Sequence, residues 1–164
     1  VFWFELVSTA APGLAVEVEA PTSLDPGSPG DELLRTLLYV EDNPANLQLV
    51  EQLIARRPGM RLLAAADADT GVEIARTRQP DVILMDINLP GISGIEALAI
   101  LRCDPTTASI PVVALSANAI PRDIEKGLEA GFCRYLTKPI KVHEFMDALD
   151  EALALAAIGI ARNT

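Results

Sequence analysis

The sequence predicts an α/β fold: a doubly wound, five-stranded parallel sheet with helices on both faces. Three observations lead to it. From Thr36 onward, short apolar runs alternate with segments of helical period, the pattern of repeated strand–helix units. Several of those runs are almost continuously apolar, as strands covered by helices on both sides must be. Polar residues able to do chemistry gather where the runs stop, and open parallel sheets bind their ligands at the carboxyl ends of the strands.

In chain order, the predicted strands are Leu37 to Val40, Leu62 to Ala66, Val82 to Met85, Ile110 to Leu115 and Phe132 to Leu136. The first, third and fourth are the nearly unbroken apolar ones. In the first helical segment Leu47, Val50 and Ile54 share a face, and in the third Ile95, Leu98 and Leu101 do. The last segment carries the longest stripe, Val142, Phe145, Met146, Leu149 and Leu153. Punctuation agrees: Asn43 before Pro44 reads as an N-cap and first helical residue, Pro111 sits at a strand start where its missing donor is harmless, and Gly131 suits a helix stop.

The first 35 residues are different. An aromatic run, Phe2-Trp3-Phe4, passes into a stretch rich in Ala, Pro, Gly and Ser, which is linker composition. Val16 to Glu19 alternates as a strand would, but Pro12 and Pro21 bracket it, and it reads as coil.

With 164 residues, half of them apolar, the chain can bury the core of one ordinary domain. A net charge of -10 and a pI near 4.5 argue against nucleic-acid binding or direct contact with an anionic membrane, since both need clustered Lys and Arg. No apolar run reaches the roughly 20 residues that span a bilayer, and the N-terminus lacks the order of a secretory signal. The expectation is a soluble, cytoplasmic chain. Cys103 and Cys133 are too few and too far apart for a disulfide framework or metal knuckle, and read as small core or half-buried residues.

The first strand ends in Glu41-Asp42, the third in Asp86, the fourth in Ser116 and the fifth in Thr137-Lys138-Pro139. Carboxylates forced together repel one another, and a hard divalent cation, Mg2+, is the natural remedy. A lysine at the fifth strand end can pair with a carboxylate at rest and with a phosphoryl oxygen later, while the Ser116 hydroxyl can donate to another. An aspartate so placed is a plausible nucleophile towards a phosphorylated donor, because phosphoryl transfer asks mainly for positioning and charge neutralisation. Taken singly, Asp42 reads as a helix-start acid, Asp86 as a loop cap, Ser116 as a turn residue and Lys138 as a solvated side chain. Only their conjunction at four strand ends speaks for a site.

The strings Tyr39-Val40-Glu41-Asp42-Asn43, Ile83 to Gly91 (ILMDINLPG), Ala114-Leu115-Ser116-Ala117 and Leu136-Thr137-Lys138-Pro139 closely resemble the four signature blocks of response-regulator receiver domains, the CheY-like family. The resemblance covers roughly 120 residues and implies a flavodoxin-like strand order 2-1-3-4-5. It implies that Asp86 accepts a phosphoryl group from a phosphohistidine, and that Asp42, Asp86 and the backbone carbonyl of Asn88 ligate Mg2+, with Glu41 acting through a bound water. Ser116 stands where a hydroxyl residue moves towards the phosphoryl group, and Tyr135 where an aromatic rotates inward, biasing the face made by the fourth helix, last strand and last helix. Asn88 and Asn118 stand where receivers tune hydrolysis of the aspartyl phosphate. The Lys138-Pro139 bond is commonly cis in the family. His143, outside the cluster, reads as a surface or helix-flank residue.

Phe2 to Leu6 resembles the closing strand of a histidine kinase ATP-binding domain. Together with the missing initiator Met, this suggests the C-terminal receiver of a hybrid kinase whose remaining portion supplies any membrane anchor. The expected division is then a kinase remnant over 1–6, a linker over 7–34, a receiver over 35–160 and a tail over 161–164. The implied partners are a histidine kinase or histidine phosphotransfer domain, with homodimerisation through the fourth-helix face a further option. The chain would be a self-phosphorylating and autodephosphorylating switch, not an enzyme. A stand-alone single-domain regulator shares this chemistry. A haloacid dehalogenase-type phosphatase also uses a strand-end aspartate, but wants a second acid where Asn88 stands, and the chain lacks room for a cap.

Overall fold

The structure, a computed structural model, describes residues 34–162. The readings of 1–6, of most of the linker and of Val16 to Glu19 lie outside the described residues. Five strands alternate with five helices: β1 (Arg35–Val40), α1 (Pro44–Ala55), β2 (Met60–Ala65), α2 (Ala68–Arg78), β3 (Val82–Asp86), α3 (Gly94–Cys103), β4 (Val112–Ser116), α4 (Pro121–Ala130), β5 (Arg134–Thr137) and α5 (Val142–Arg162). All strand pairs are parallel and the order is β2-β1-β3-β4-β5, the predicted flavodoxin-like arrangement.

The period of two along each strand divides the core into two layers. Leu38, Val40, Ile83, Met85, Val112 and Ala114 face α2 and α3, where Val72, Ala75, Leu98 and Leu101 meet them. Their neighbours Leu37, Tyr39, Val82, Leu84, Val113 and Leu115 face α1 and α5, against Val50, Ile54, Phe145 and Leu149. Full burial of each large apolar side chain contributes about 1.5–3 kcal/mol, and β3 and β4 are buried at every position, as their unbroken apolar sequence requires.

Local signals hold where expected. The Asn43 side chain accepts from the Ala45 N–H at 2.9 Å, with Pro44 as the first helical residue. Gly131 ends α4 with φ 113°, a left-handed conformation that costs glycine little. Boundaries move by one or two residues. β4 begins at Val112, because Pro111 has no N–H for the ladder and contributes only its carbonyl, to Ile83. β5 begins at Arg134, because the Phe132 N–H instead donates to Gly127 O and closes α4.

Two stripe residues prove exposed. Ile95 is 41% exposed, its place towards the core taken by Gly94 and Ala97. α3 starts so close to the end of β3 that a Cβ on Gly94 would lie 2.3 Å from Asp86 O. Val142 is 50% exposed, and α5 meets the core from Phe145 onward, with Ala148 and Ala152 completing the stripe. Cys103 is exposed, against its expected burial, while Cys133 is half-buried. His143 lies on the surface beside Asp147.

Candidate functional site

Parallel pairing brings every strand's carboxyl end to one edge of the sheet. Val40 pairs with Met85, so Glu41 and Asp86 follow side by side; Ser116 pairs with Thr137, which places Lys138 next in line. The Lys138 N–H donates to Ser116 O at 2.7 Å, and the Lys138-Pro139 bond is cis. From that loop the Lys138 ammonium reaches back across the sheet edge. Its Nζ lies 2.6 Å from Asp86 Oδ2 and 2.9 Å from Glu41 Oε2. The sequence suggested one resting partner for this lysine, and the fold supplies two.

Glu41, Asp86 and Ser116 are buried, whereas Asp42, Asn88 and Asn118 are exposed at the rim. Ligand oxygens of Glu41, Asp42 and Asp86 lie within 4.8 Å of one another. Backbone donors orient two of the side chains: the Asn88 N–H donates to Asp86 Oδ1 at 2.8 Å, and the Asn118 N–H to Ser116 Oγ at 3.1 Å. Asn88 and Asn118 thus already touch the acid and the hydroxyl through their backbones. Tyr135, half-buried, packs against the α2–α3 layer and does not join the polar cluster.

Two contributors escaped the sequence reading. Tyr39, wholly buried, donates its hydroxyl to Glu41 Oε2 at 2.8 Å. A signal existed: a tyrosine inside a buried strand needs a polar partner, and residues two apart share a face. Gly94 is the other. Its missing Cβ lets α3 approach Asp86, a contact between segments that no local pattern announces.

The electrostatics follow from this packing. Burial, with Glu41 nearby, pushes the Asp86 carboxyl above its usual value against the opposing pull of Lys138 and the Asn88 N–H. Burial acts on Glu41 in the same sense, but hydrogen bonds from Lys138, Tyr39 and the Asn43 N–H outweigh it and bring that carboxyl down. Lys138, despite burial, is raised by its two carboxylates. Burial and the bond to Glu41 hold the Tyr39 phenol in its neutral form far above the normal range.

This donor set fits a hard divalent cation, because it is all oxygen and more acidic than one lysine offsets. Glu41, whose oxygens already receive Tyr39, Lys138 and the Asn43 N–H, is the least free of the three acids. Elsewhere, no helix among the described residues is long and apolar enough to cross a membrane.

Known proteins share both chain and fold. Residues 37–150 match the response regulator receiver domain family. The polar-differentiation response regulator DivK of Brucella anthropi is 34% identical over 119 residues, covering 73% of this chain and 96% of its own. The receiver domain of sensor histidine kinase PA1611 from Pseudomonas aeruginosa, solved with magnesium in its active site cleft, is 36% identical with a TM-score of 0.67, over 74% of this chain and 98% of that one. A response regulator structure from Chloroflexus aurantiacus is 29% identical at a TM-score of 0.69, with 74% and 98% covered. The family match runs from within β1 into α5 and takes in all four strand ends that build the cluster, and on that basis the chain belongs to the response regulator receiver domains of two-component signalling.

Proposed function

We propose that Asp86 is the phosphoacceptor and that the cluster around it is built for one transfer per signal. The observation that carries this is the Lys138 ammonium held at 2.6 Å from a buried aspartate at the end of β3. An Asp86 oxygen bonds to the phosphorus of a phosphohistidine as the P–N bond breaks, and the imidazole nitrogen keeps the electron pair and takes up a proton. Lys138 then exchanges a carboxylate oxygen for a phosphoryl oxygen, and the Ser116 hydroxyl donates to another. Asp42, Asp86 and the Asn88 carbonyl would hold Mg2+, with Glu41 acting through water. When bound, that ion offsets the charge of the acids and of the incoming phosphoryl group.

Asn88 and Asn118 would set the lifetime of the aspartyl phosphate, and Tyr135 would report it on the α4-β5-α5 face, by way of a partner or a second copy of the chain. The donor would be a histidine kinase or histidine phosphotransfer domain in the cytoplasm. Division into a kinase remnant (1–6), linker (7–34), receiver (35–160) and tail (161–164) would make this the receiver of a hybrid kinase, a reading favoured by its likeness to the PA1611 receiver. Likeness to DivK, a response regulator by name, favours the stand-alone alternative.

Intact-mass measurement with acetyl phosphate and Mg2+ tests the acceptor. Wild type gains one phosphoryl mass and Asp86→Asn does not; equal gain in both would remove Asp86 from the role. Steady turnover of a generic phosphate ester would instead favour a phosphatase. Replacing Asn88 with a bulky apolar residue changes the decay rate of the phosphorylated chain, and an unchanged rate would take Asn88 out of that assignment.

A further inference from the structure

Helix α4 is amphipathic, yet Gly127 is its one buried residue among those described. A Cβ built there would lie 3.0 Å from both Cδ2 and Cε2 of Tyr135 and 3.7 Å from Cδ2 of Phe132. The Tyr135 ring therefore rests on the bare backbone of α4, in a space that exists because position 127 has no side chain. φ at Gly127 is helical, so backbone conformation does not demand a glycine there, and a glycine inside a helix weakens it relative to alanine.

The helix backbone is not free to retreat from an added methyl. Gly127 O accepts from the Phe132 N–H at 3.2 Å and from the Gly131 N–H. Just beyond it, Arg102 from α3 donates to Gly131 O at 2.9 Å, while its other guanidinium nitrogen holds Ala108 O and Ile110 O at 2.8 Å each. The carboxyl end of α4 is thus tied to α3 and to the loop entering β4. Between a fixed backbone and a ring that turns about χ1, the ring is what moves.

We infer that Gly127 is a positioning residue for Tyr135: by leaving out a Cβ it provides the seat for the ring, and so sets the balance between seated and outward orientations of that side chain. This rests on the proposed role of Tyr135 as the reporter of Asp86 phosphorylation. It adds a control point on α4 that acts on the signal without touching the acidic cluster.

The full chain labelled with 3-fluorotyrosine gives a direct test, because it holds only Tyr39 and Tyr135. Tyr39, buried beneath Glu41, is the internal control, and Tyr135→Phe assigns the signals. In Gly127→Ala the Tyr135 fluorine resonance moves towards the value of exposed fluorotyrosine and is relaxed several-fold faster by a soluble gadolinium chelate, while Tyr39 stays in place. Urea denaturation supplies a second readout. In a Tyr135→Ala background Gly127→Ala raises the midpoint, as the better helix former should; with the ring present the gain shrinks or reverses. An unmoved Tyr135 resonance in folded Gly127→Ala, or equal midpoint gains in both backgrounds, overturns the inference. Phosphoryl uptake by wild type, measured by intact mass, is separate. Its failure would remove the signalling role of Tyr135 and leave the seat itself measurable.

Discussion

Helices α3 and α4 each follow a strand that ends in a residue of the cluster, Asp86 after β3 and Ser116 after β4, but they are held in very different ways. α3 opens on a capping box, in which the Ser93 side chain accepts from the Glu96 N–H and the Glu96 carboxylate accepts from the Ser93 N–H, and it buries Gly94, Ala97, Leu98 and Leu101. α4 opens at Ile120, 52% exposed, with no side-chain cap, and Leu128 is 46% exposed. The helix behind Asp86 is fastened at its amino end, whereas α4 is fastened at its carboxyl end through Arg102. The contrast would suit the proposed switch, in which Asp86 stays in register while the α4 face changes its contacts. Low local stability is expected of elements that move.

Stability measurements can break that contrast. The largest effect is expected from truncating the inner side chains. Leu98→Ala costs about 2–5 kcal/mol, the range for a buried leucine that leaves a cavity, whereas Leu128→Ala stays within about 0.5 kcal/mol. Similar losses in urea denaturation would mean that α4 is packed as firmly as α3. Next comes Gly94→Ala, which must displace backbone at the end of β3 and costs about 1–3 kcal/mol. The same displacement should slow phosphoryl uptake at Asp86, and normal uptake would show that the close approach of α3 does not matter to the acid.

The helix starts differ by less. Ser93→Ala should cost about 1 kcal/mol, while Ile120→Asn, which offers α4 a cap it lacks, should gain a few tenths to about 1 kcal/mol. No gain would show that the α4 start is already ordered by other contacts. The smallest effect concerns acid. Asp104, just past α3, is held at about 2 by Thr106, from both its hydroxyl and its N–H, and by Arg76 of α2. A carboxyl lowered on folding stabilises above its unfolded value, so this contribution is complete above about pH 4 and is lost as pH falls towards 2. Asp104→Asn should flatten the stability profile in that window alone; an unchanged profile would mean that the carboxyl makes the same contacts in the folded and unfolded chain, or makes them in neither.

Residue pattern alone determined the five strand–helix units, the two-sided burial of β3 and β4, the caps at Asn43 and Gly131, and the gathering of Glu41, Asp42, Asp86, Ser116 and Lys138 along one edge of the sheet. These are legible because period, capping and strand-end position are local properties, and parallel strands necessarily bring their carboxyl ends to one edge. Tertiary structure alone decided what the site residues hold in common. Lys138 bridges two acids from different strands, Tyr39 supports Glu41 from below, and Gly94 and Gly127 make room for Asp86 and Tyr135. Ile95 and Val142 turned outward for the same reason: a helical stripe specifies a face, but the distance between a helix and its sheet decides how much of that face is covered. Such distances are set by side chains far apart in the chain, and a missing Cβ has meaning only once the atom that would have met it is known.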